Sequence, residues 1–192
     1  MRIKITAVIA TILLAGTSTA FAENGKYYGA IDVGSATYNG ADITINGVVN
    51  TFPNPGVFSI SGGYRFKPGF AVEVGYNSPG DSKLTGTTGD VTLSAKSVTV
   101  SAVGAYSLSK DFDLTGKLGF AANSFTESTT GTLKFADGST SISGSSSSVH
   151  YGIGGLYHAT EVVGVRFGYE SFGTIATGVT GTAVKIGVTL DF

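Results

Sequence analysis

Cysteine and tryptophan are absent from the 192 residues, methionine occurs once, and there are only 4 prolines. Without cysteine there are no disulfides to staple the fold and no thiolate ligands for zinc or iron–sulfur centres. The 2 histidines stand at positions 150 and 158. Eight residues of extended strand separate them by about 26 Å, so they cannot share a metal ion or a proton. No metal and no cofactor is expected. Charge is scarce as well, at 13% of residues, and no run of it is basic. A nucleic-acid partner, which needs a cationic stripe, is excluded on that count.

Long apolar runs are also missing. The most apolar stretch, Ile5 to Ala15, is shorter than the roughly 20 residues a helix needs to cross a bilayer. Arg2 and Lys4 precede it and Ala20-Phe21-Ala22 follow it. That order of positive start, short apolar run and small-x-small site is the grammar of a cleaved secretory leader. Residues 1–22 are therefore expected to be a signal peptide, and residues 23–192 one domain. Its 170 residues carry 10 Lys plus Arg against 13 Asp plus Glu. No helical membrane span is expected in them.

What is abundant is glycine (29), phenylalanine (12) and tyrosine (9), with many serines and threonines. The apolar residues recur at every second position, the period of a β-strand. Eight such segments follow one another: Lys26 to Thr37, Val57 to Phe66, Phe70 to Tyr76, Ala95 to Leu108, Phe112 to Phe120, Val149 to His158, Val163 to Glu170, and Ala183 to Phe192. Their connections alternate long and short. Lys67-Pro68-Gly69, Ser109-Lys110-Asp111 and Ala159-Thr160-Glu161 are tight turns. The long connections are polar, one carrying Pro53 and Pro55 and another running from about Asn123 to Ser147. Within the latter, Thr132-Leu133-Lys134-Phe135 is the stretch expected to prolong its two flanking strands as a hairpin.

Apart from Lys96 at the start of the fourth segment, the charged residues share a face with Gly, Ser and Ala rather than with the Phe and Val set. In the last one, Val184, Ile186, Val188, Leu190 and Phe192 stand opposite Lys185, Gly187, Thr189 and Asp191. A water-soluble barrel would bury the bulky set and expose a sparsely charged Gly/Ser face, overfilling its interior. The inverted arrangement, with bulky residues on lipid and small ones in a narrow lumen, is consistent. Tyr27, Tyr64, Phe66, Phe70, Tyr106, Phe112, Tyr157 and Phe192 lie beside the short turns. Phe58, Tyr76, Phe120, Tyr151 and Tyr169 lie near the long connections. Two such belts match the aromatic girdles of an outer-membrane barrel. Closure leaves no strand edge unpaired in hydrocarbon. The expected fold is all-β, an eight-stranded antiparallel up-and-down transmembrane barrel with both termini in the periplasm.

Three segments sharpen this: Gly62-Gly63-Tyr64-Arg65-Phe66, Phe70-Ala71-Val72-Glu73-Val74-Gly75-Tyr76, and Gly164-Val165-Arg166-Phe167-Gly168-Tyr169-Glu170-Ser171-Phe172. With them the chain from Glu23 to Phe192 resembles the eight-stranded outer-membrane barrels of the OmpA/OmpX type. The resemblance implies an integral outer-membrane protein in contact with lipid and lipopolysaccharide. Its ending, Lys185, Gly187, Leu190 and Phe192, looks like the C-terminal segment read by the barrel assembly machinery, with Leu190 where an aromatic is commoner. No peptidoglycan-binding domain, and so no cell-wall tether, is expected after the last strand.

The inward charges are Asp32, Arg65, Glu73, Asp113, Lys117, Arg166, Glu170, Lys185 and Asp191. Unpaired charge in a narrow lumen is costly, so these are expected to pair. Glu73, Lys117, Arg166, Glu170 and Lys185 lie mid-strand and should form the centre of the network, with Arg65 and Asp32 beside it. Their role is either a plug or a gate for a small conductance, and eight strands leave an interior that side chains fill. Ser148 and His150 invite a third reading, since some barrels of this size modify lipid A. A nucleophile and base still need an orienting acid, and the sequence offers none nearby. No catalytic residue and no enzyme is expected. The expectation is a monomer with a structural or surface-interaction role, adhesion or evasion, through long polar loops that could take an extracellular ligand.

Overall fold

The computed structural model describes residues 25–45, 48–67, 69–86, 88–135 and 137–192. The expected leader at 1–22, and Pro68 of the first tight turn, lie outside the described residues. The strands are β1 (Lys26–Asn39), β2 (Asp42–Ile45), β3 (Val48–Thr51), β4 (Gly56–Lys67), β5 (Phe70–Pro79), β6 (Ser82–Gly86), β7 (Gly89–Ser107), β8 (Phe112–Thr129), β9 (Ser141–His158), β10 (Val163–Ala176) and β11 (Val179–Asp191). Eight of them close on themselves. From β4, pairing runs through β1, β11, β10, β9, β8 and β7 to β5, which returns to β4, and every pair is antiparallel. This is the eight-stranded up-and-down barrel that the periodicity implies. The remaining three belong to the long connections: β2 and β3 form a hairpin, and β6 pairs with the start of β7.

Pairing fixes which side chains share a face. Ile31 stands opposite Val188 and Ile60, and Asp32 opposite Gly187 and Ser59. The bulky set faces out, with Leu118 64% exposed and Ile186 55%, while the charged set faces in, with Lys185 at 7%. At the short-turn end the rings of Tyr27, Tyr64, Phe66 and Phe70 touch in a chain, with centroids 4.9, 5.1 and 5.9 Å apart. Gly69 in the turn between β4 and β5 has φ +88°, a left-handed conformation glycine adopts without steric cost.

Strand length departs from the sequence reading. β8 and β9 are 18 residues each and β7 is 19, roughly 60 Å of extended chain, about twice what a tilted crossing needs. The prolongation is not made by Thr132 to Phe135, which lie in the connection between β8 and β9. It is made by Ala121 to Ser128 paired with Ser141 to Ser148, much of the stretch expected to be loop.

Along this taller wall the two faces exchange character. The outward rows across β7, β8 and β9 read Val100–Phe120–Val149, then Val98–Ala122–Ser147, then Lys96–Ser124–Ser145, Ser94–Thr126–Ser143 and Thr92–Ser128–Ser141. Inward, Val91, Leu93 and Ala95 of β7 pack with Tyr38, Ala41, Phe52 and Ile175 into a buried apolar core, flanked by Leu84, Phe125, Leu133 and Val179. Below the crossover the wall is apolar outside and polar inside. Above it the wall is hydroxylated outside and apolar inside, the arrangement of a water-soluble sheet. The outward rows mark the height at which hydrocarbon contact ends.

Candidate functional site

Three features occupy the interior, stacked along the barrel axis. The first is the charge network, to which β1, β5, β8, β10 and β11 each contribute inward positions. Arg166 bonds both Asp32 and Glu73, the latter from Nη1 to Oε2 at 2.8 Å. Lys117 Nζ donates to Glu73 Oε1 and Glu170 Oε1, both at 2.7 Å. Lys185 Nζ lies 2.6 Å from Glu170 Oε2 and donates to Asn77 Oδ1 at 3.0 Å. The result is an alternating chain, Asp32–Arg166–Glu73–Lys117–Glu170–Lys185. Each carboxylate in it except Asp32 meets two cations. Neutral partners complete it: Tyr28 Oη donates to Glu73 Oε2 at 3.0 Å, and Ser61 Oγ accepts from Arg166 Nη2 at 2.9 Å.

Glycine makes the room. A β-carbon on Gly152 would lie 2.8 Å from Glu170 Cγ, and one on Gly187 would overlap Asp32 Oδ1 and the Ile31 carbonyl. Gly187 therefore has a packing reason to be glycine, independent of any part it plays in assembly.

Nearer the short turns the pairing is separate. Arg65 bonds Asp191 and lies over the Tyr28 ring, 4.7 Å from its centroid, while His158 Nε2 is 2.9 Å from Asp113 Oδ2. Arg65 is thus part of a rim rather than of the central chain. Between rim and network lies a vestibule of about 250 Å³, lined by the charged Arg65, Asp113, Lys117 and Arg166 and by apolar side chains including Phe70, Val103 and Leu156.

The second feature stands on the other side of the network. Pairing of β10 slips between Ser171 and Gly173, whose φ is +64°. This bulge inserts one residue and reverses which parity faces in, so Phe172 and Ile175 are both inward, 2% and 4% exposed. Phe172 stacks on His150, with centroids 5.7 Å apart, and Lys185 Nζ lies 5.7 Å from the ring centre. With Ala36, Val57, Ala121 and Ala183 it forms a buried apolar layer directly over the charges. The carbonyls freed by the bulge are taken up from neighbouring strands. Asn123 Nδ2 donates to the Phe172 and Thr174 carbonyls at 2.9 and 3.0 Å, and Ser148 Oγ donates to Thr174 at 2.9 Å. Ser148 thus serves the backbone of β10 and not His150. The third feature is the apolar core within the tall wall.

His150 has partners that the sequence did not reveal. Its Nδ1 is 2.7 Å from Ser101 Oγ on β7 and its Nε2 is 3.4 Å from Glu170 Oε2. A hydroxyl, an imidazole and a carboxylate in line is the connectivity of a nucleophile triad. Ser101 is 3% exposed, His150 is 1% exposed, and Glu170 is engaged by two lysines. Attack requires a carbonyl carbon within reach of the serine oxygen, and this hydroxyl is enclosed among lumen side chains. Among the described residues there is also no cluster of His, Asp and Glu suited to a metal ion.

Lys185 and Gly187 of the terminal segment face the lumen, whereas Leu190 and Phe192 are outward, 47% and 76% exposed. Phe192 N donates to the Tyr27 carbonyl at 2.9 Å, stitching the end of the chain onto β1.

Solved structures share this architecture. Neisserial surface protein A superposes with a TM-score of 0.64 at 19% identity, covering 88% of this chain and all of that one. Ail, the attachment invasion locus protein of Yersinia pestis, gives 0.60 at 18% identity, with 88% and 100% covered. The N-terminal barrel domain of Pseudomonas aeruginosa OprF gives 0.56 at 12% identity, again with 88% and 100% covered. At such identities the likeness is one of fold. No curated protein matches the sequence. The family model for the outer membrane protein beta-barrel domain matches residues 7–192. With a closed barrel whose bulky residues face outward and whose charges are paired within, the chain belongs to the outer membrane protein beta-barrel family.

Proposed function

We propose that the protein is a sealed outer-membrane barrel that presents a rigid interaction module on the cell surface, its long connections outside and both chain ends in the periplasm. The observation that carries this reading is the continuation of β7, β8 and β9 above the lipid-facing rows, with an apolar core inside and hydroxyls outside. Lumen closure alone would not require a wall of that height, since the charge network and the Phe172 layer already fill the section beneath it. A self-supporting structure raised above the membrane suits contact with another surface. The same stacking disfavours the small-channel alternative, and the enclosed Ser101 disfavours the lipid A enzyme.

Ail has been solved in complex with the heparin analogue sucrose octasulfate. The long-connection end of this chain carries Lys83, Lys96 and Lys134 against Asp42, Asp81, Asp90, Glu127 and Asp137. A polyanion is not what that charge balance favours, so the shared fold does not bring that ligand with it.

The test is a trimmed barrel in which Asn77 is joined to Ser97, and Asn123 to Ser146, by two-residue Asn-Gly turns. Both joints link residues already adjacent across the barrel, one pair being β5–β7 neighbours and the other β8–β9 neighbours. Cells displaying equal amounts of the native and trimmed proteins are compared for adherence to host and bacterial surfaces and for survival in serum. Only the native protein should confer a gain. If neither trait differs between cells with and without the native protein, the reading fails.

The terminal segment Lys185, Gly187, Leu190 and Phe192 is, in this proposal, also what the assembly machinery reads. Deleting Phe192 should leave most of the chain uninserted, although that side chain is 76% exposed and packs little. The folded fraction is read from the shift in gel mobility between boiled and unboiled samples. A normal folded fraction would remove the assembly role.

A further inference from the structure

The inward row Asn77–Ser97–Asn123 crosses β5, β7 and β8 just above the Phe172 layer, and Tyr38 of β1 meets it at the same cavity. We infer that one buried water molecule joins the two walls there, held by Tyr38 Oη, Ser97 Oγ and Asn123 Oδ1. The site is the same whichever way the barrel sits in the membrane.

Three polar atoms share one unmet need. Tyr38, Ser97 and Asn123 are 5%, 5% and 2% exposed, and among the described residues the three oxygens named have no hydrogen-bond partner. Native interiors leave few buried polar atoms unpaired, because each is costly. All three residues line a single cavity of about 10 Å³, the space one water molecule needs. Asn123 cannot satisfy its oxygen by turning its amide over, since Nδ2 already donates to the Phe172 and Thr174 carbonyls. Its Oδ1 therefore requires an incoming donor. Asn77, the remaining member of the row, has its Oδ1 engaged by Ser59 and Lys185.

The chemistry selects water over an ion. Each of the three groups is neutral, and Lys96, the one charged residue bordering the cavity, would repel a cation. Ala36, Ala95, Phe172 and Ile175 supply apolar walls, which cannot solvate charge. A water molecule can donate to Asn123 Oδ1 and to one hydroxyl while accepting from the other, the three bonds usual for a buried water.

Its place gives it a role. Three strands lie between β1 and β8 on either way round the barrel, so no ladder joins them directly. Tyr38 packs in the upper core with Ala95 and Ile175, while Asn123 holds the bulged backbone of β10. The water makes a strut across the lumen, tying the β1 wall to the tall β7–β8 wall.

The test begins with the full mature barrel crystallised from detergent at high resolution. One spherical density peak should lie about 3 Å from each of the three oxygens, with no anomalous signal after a soak in rubidium chloride. No peak, or a rubidium peak, would overturn the proposal. Urea unfolding in micelles adds an independent sign. With a bridging water, Tyr38→Phe and Ser97→Ala should each raise the unfolding constant about fivefold, the effect of one lost hydrogen bond. The double variant should raise it by clearly less than the product, because both substitutions act on the same water. Hydroxyls that merely go unsatisfied behave in the opposite way, since deleting either one relieves a cost. An unchanged or lowered constant in both single variants, or single effects that multiply in full, would overturn the shared water.

Discussion

Glu170→Ala should cost the folded barrel about 3–5 kcal/mol, the penalty of breaking a buried ion pair from one side. Its carboxylate holds Lys117 at 2.7 Å and Lys185 at 2.6 Å, and His150 stands at 3.4 Å. Lys117 keeps Glu73, but Lys185, 7% exposed, has among the described residues no other carboxylate within 4 Å. The substitution therefore leaves a cation in the lumen whose hydrogen-bond partners among the described residues are the neutral Asn77 and Ser59. Glu170→Gln, which preserves an acceptor and the packing, should cost less. Replacing both partners, as Glu170→Leu with Lys185→Met, should recover much of the loss, because a well-packed apolar pair escapes the desolvation cost of charge. Urea unfolding in detergent micelles reads all three. A loss below about 1 kcal/mol for Glu170→Ala would mean that water screens the network as it does a surface pair.

Phe172→Ala should cost a similar amount, about 3–5 kcal/mol, by a different route, since truncating a buried phenylalanine leaves a cavity. The ring is 2% exposed and packs with Ala36, Val57, Ala121 and Ala183, all too small to close over the space. The ion pairs beneath should survive, so combining Phe172→Ala with Glu170→Gln should reveal coupling through His150 and Lys185, each of which contacts both. Planar-bilayer recording adds a functional readout. With the apolar layer and the upper core in series, the native barrel and Lys117→Ala should give the same silent traces. Conductance that changes in Lys117→Ala would restore the gate.

How much of this the sequence carried depends on where the residues lie. Within the hydrocarbon band, strict alternation such as Val184, Ile186, Val188 and Leu190 against Lys185 and Gly187 specified strand, face and register parity together. The members of the charge network were readable there because charge on a face of glycine and serine can only be inward in a lipid-facing barrel. Above the band the rule reverses. Ser124, Thr126 and Ser128 alternate with Asn123, Phe125 and Glu127, and Ser141 to Ser147 alternates with Ile142 and Gly144. Neither side is uniformly apolar, so period-two hydrophobicity vanishes although the strands continue. Thr132 to Phe135 drew attention because it alternates more visibly, yet it lies in the connection.

Part of the upper core was hidden for another reason. In an unbroken strand Ile175 would share the outward face with Phe167 and Tyr169, and only the bulge at Gly173 turns it in. Ser101 lay behind a long-range pairing, 49 residues from His150. A glycine two residues before an isoleucine does not announce a bulge, and a serine among serines does not announce a partner.

The central claim is that one continuous face of β8 meets hydrocarbon at Leu118 and water or polar headgroups at Thr126. Arginine placed at each position tests it within a single strand. Both side chains are exposed, so neither substitution creates a clash inside the protein. In phospholipid vesicles Leu118→Arg should destabilise the barrel by about 2–4 kcal/mol, the cost of a cation near the bilayer midplane. Thr126→Arg should cost about 0–1 kcal/mol, as at positions near or beyond the interface. Equal, small effects at the two sites would mean that water surrounds the whole strand, and the membrane-barrel account would be contradicted.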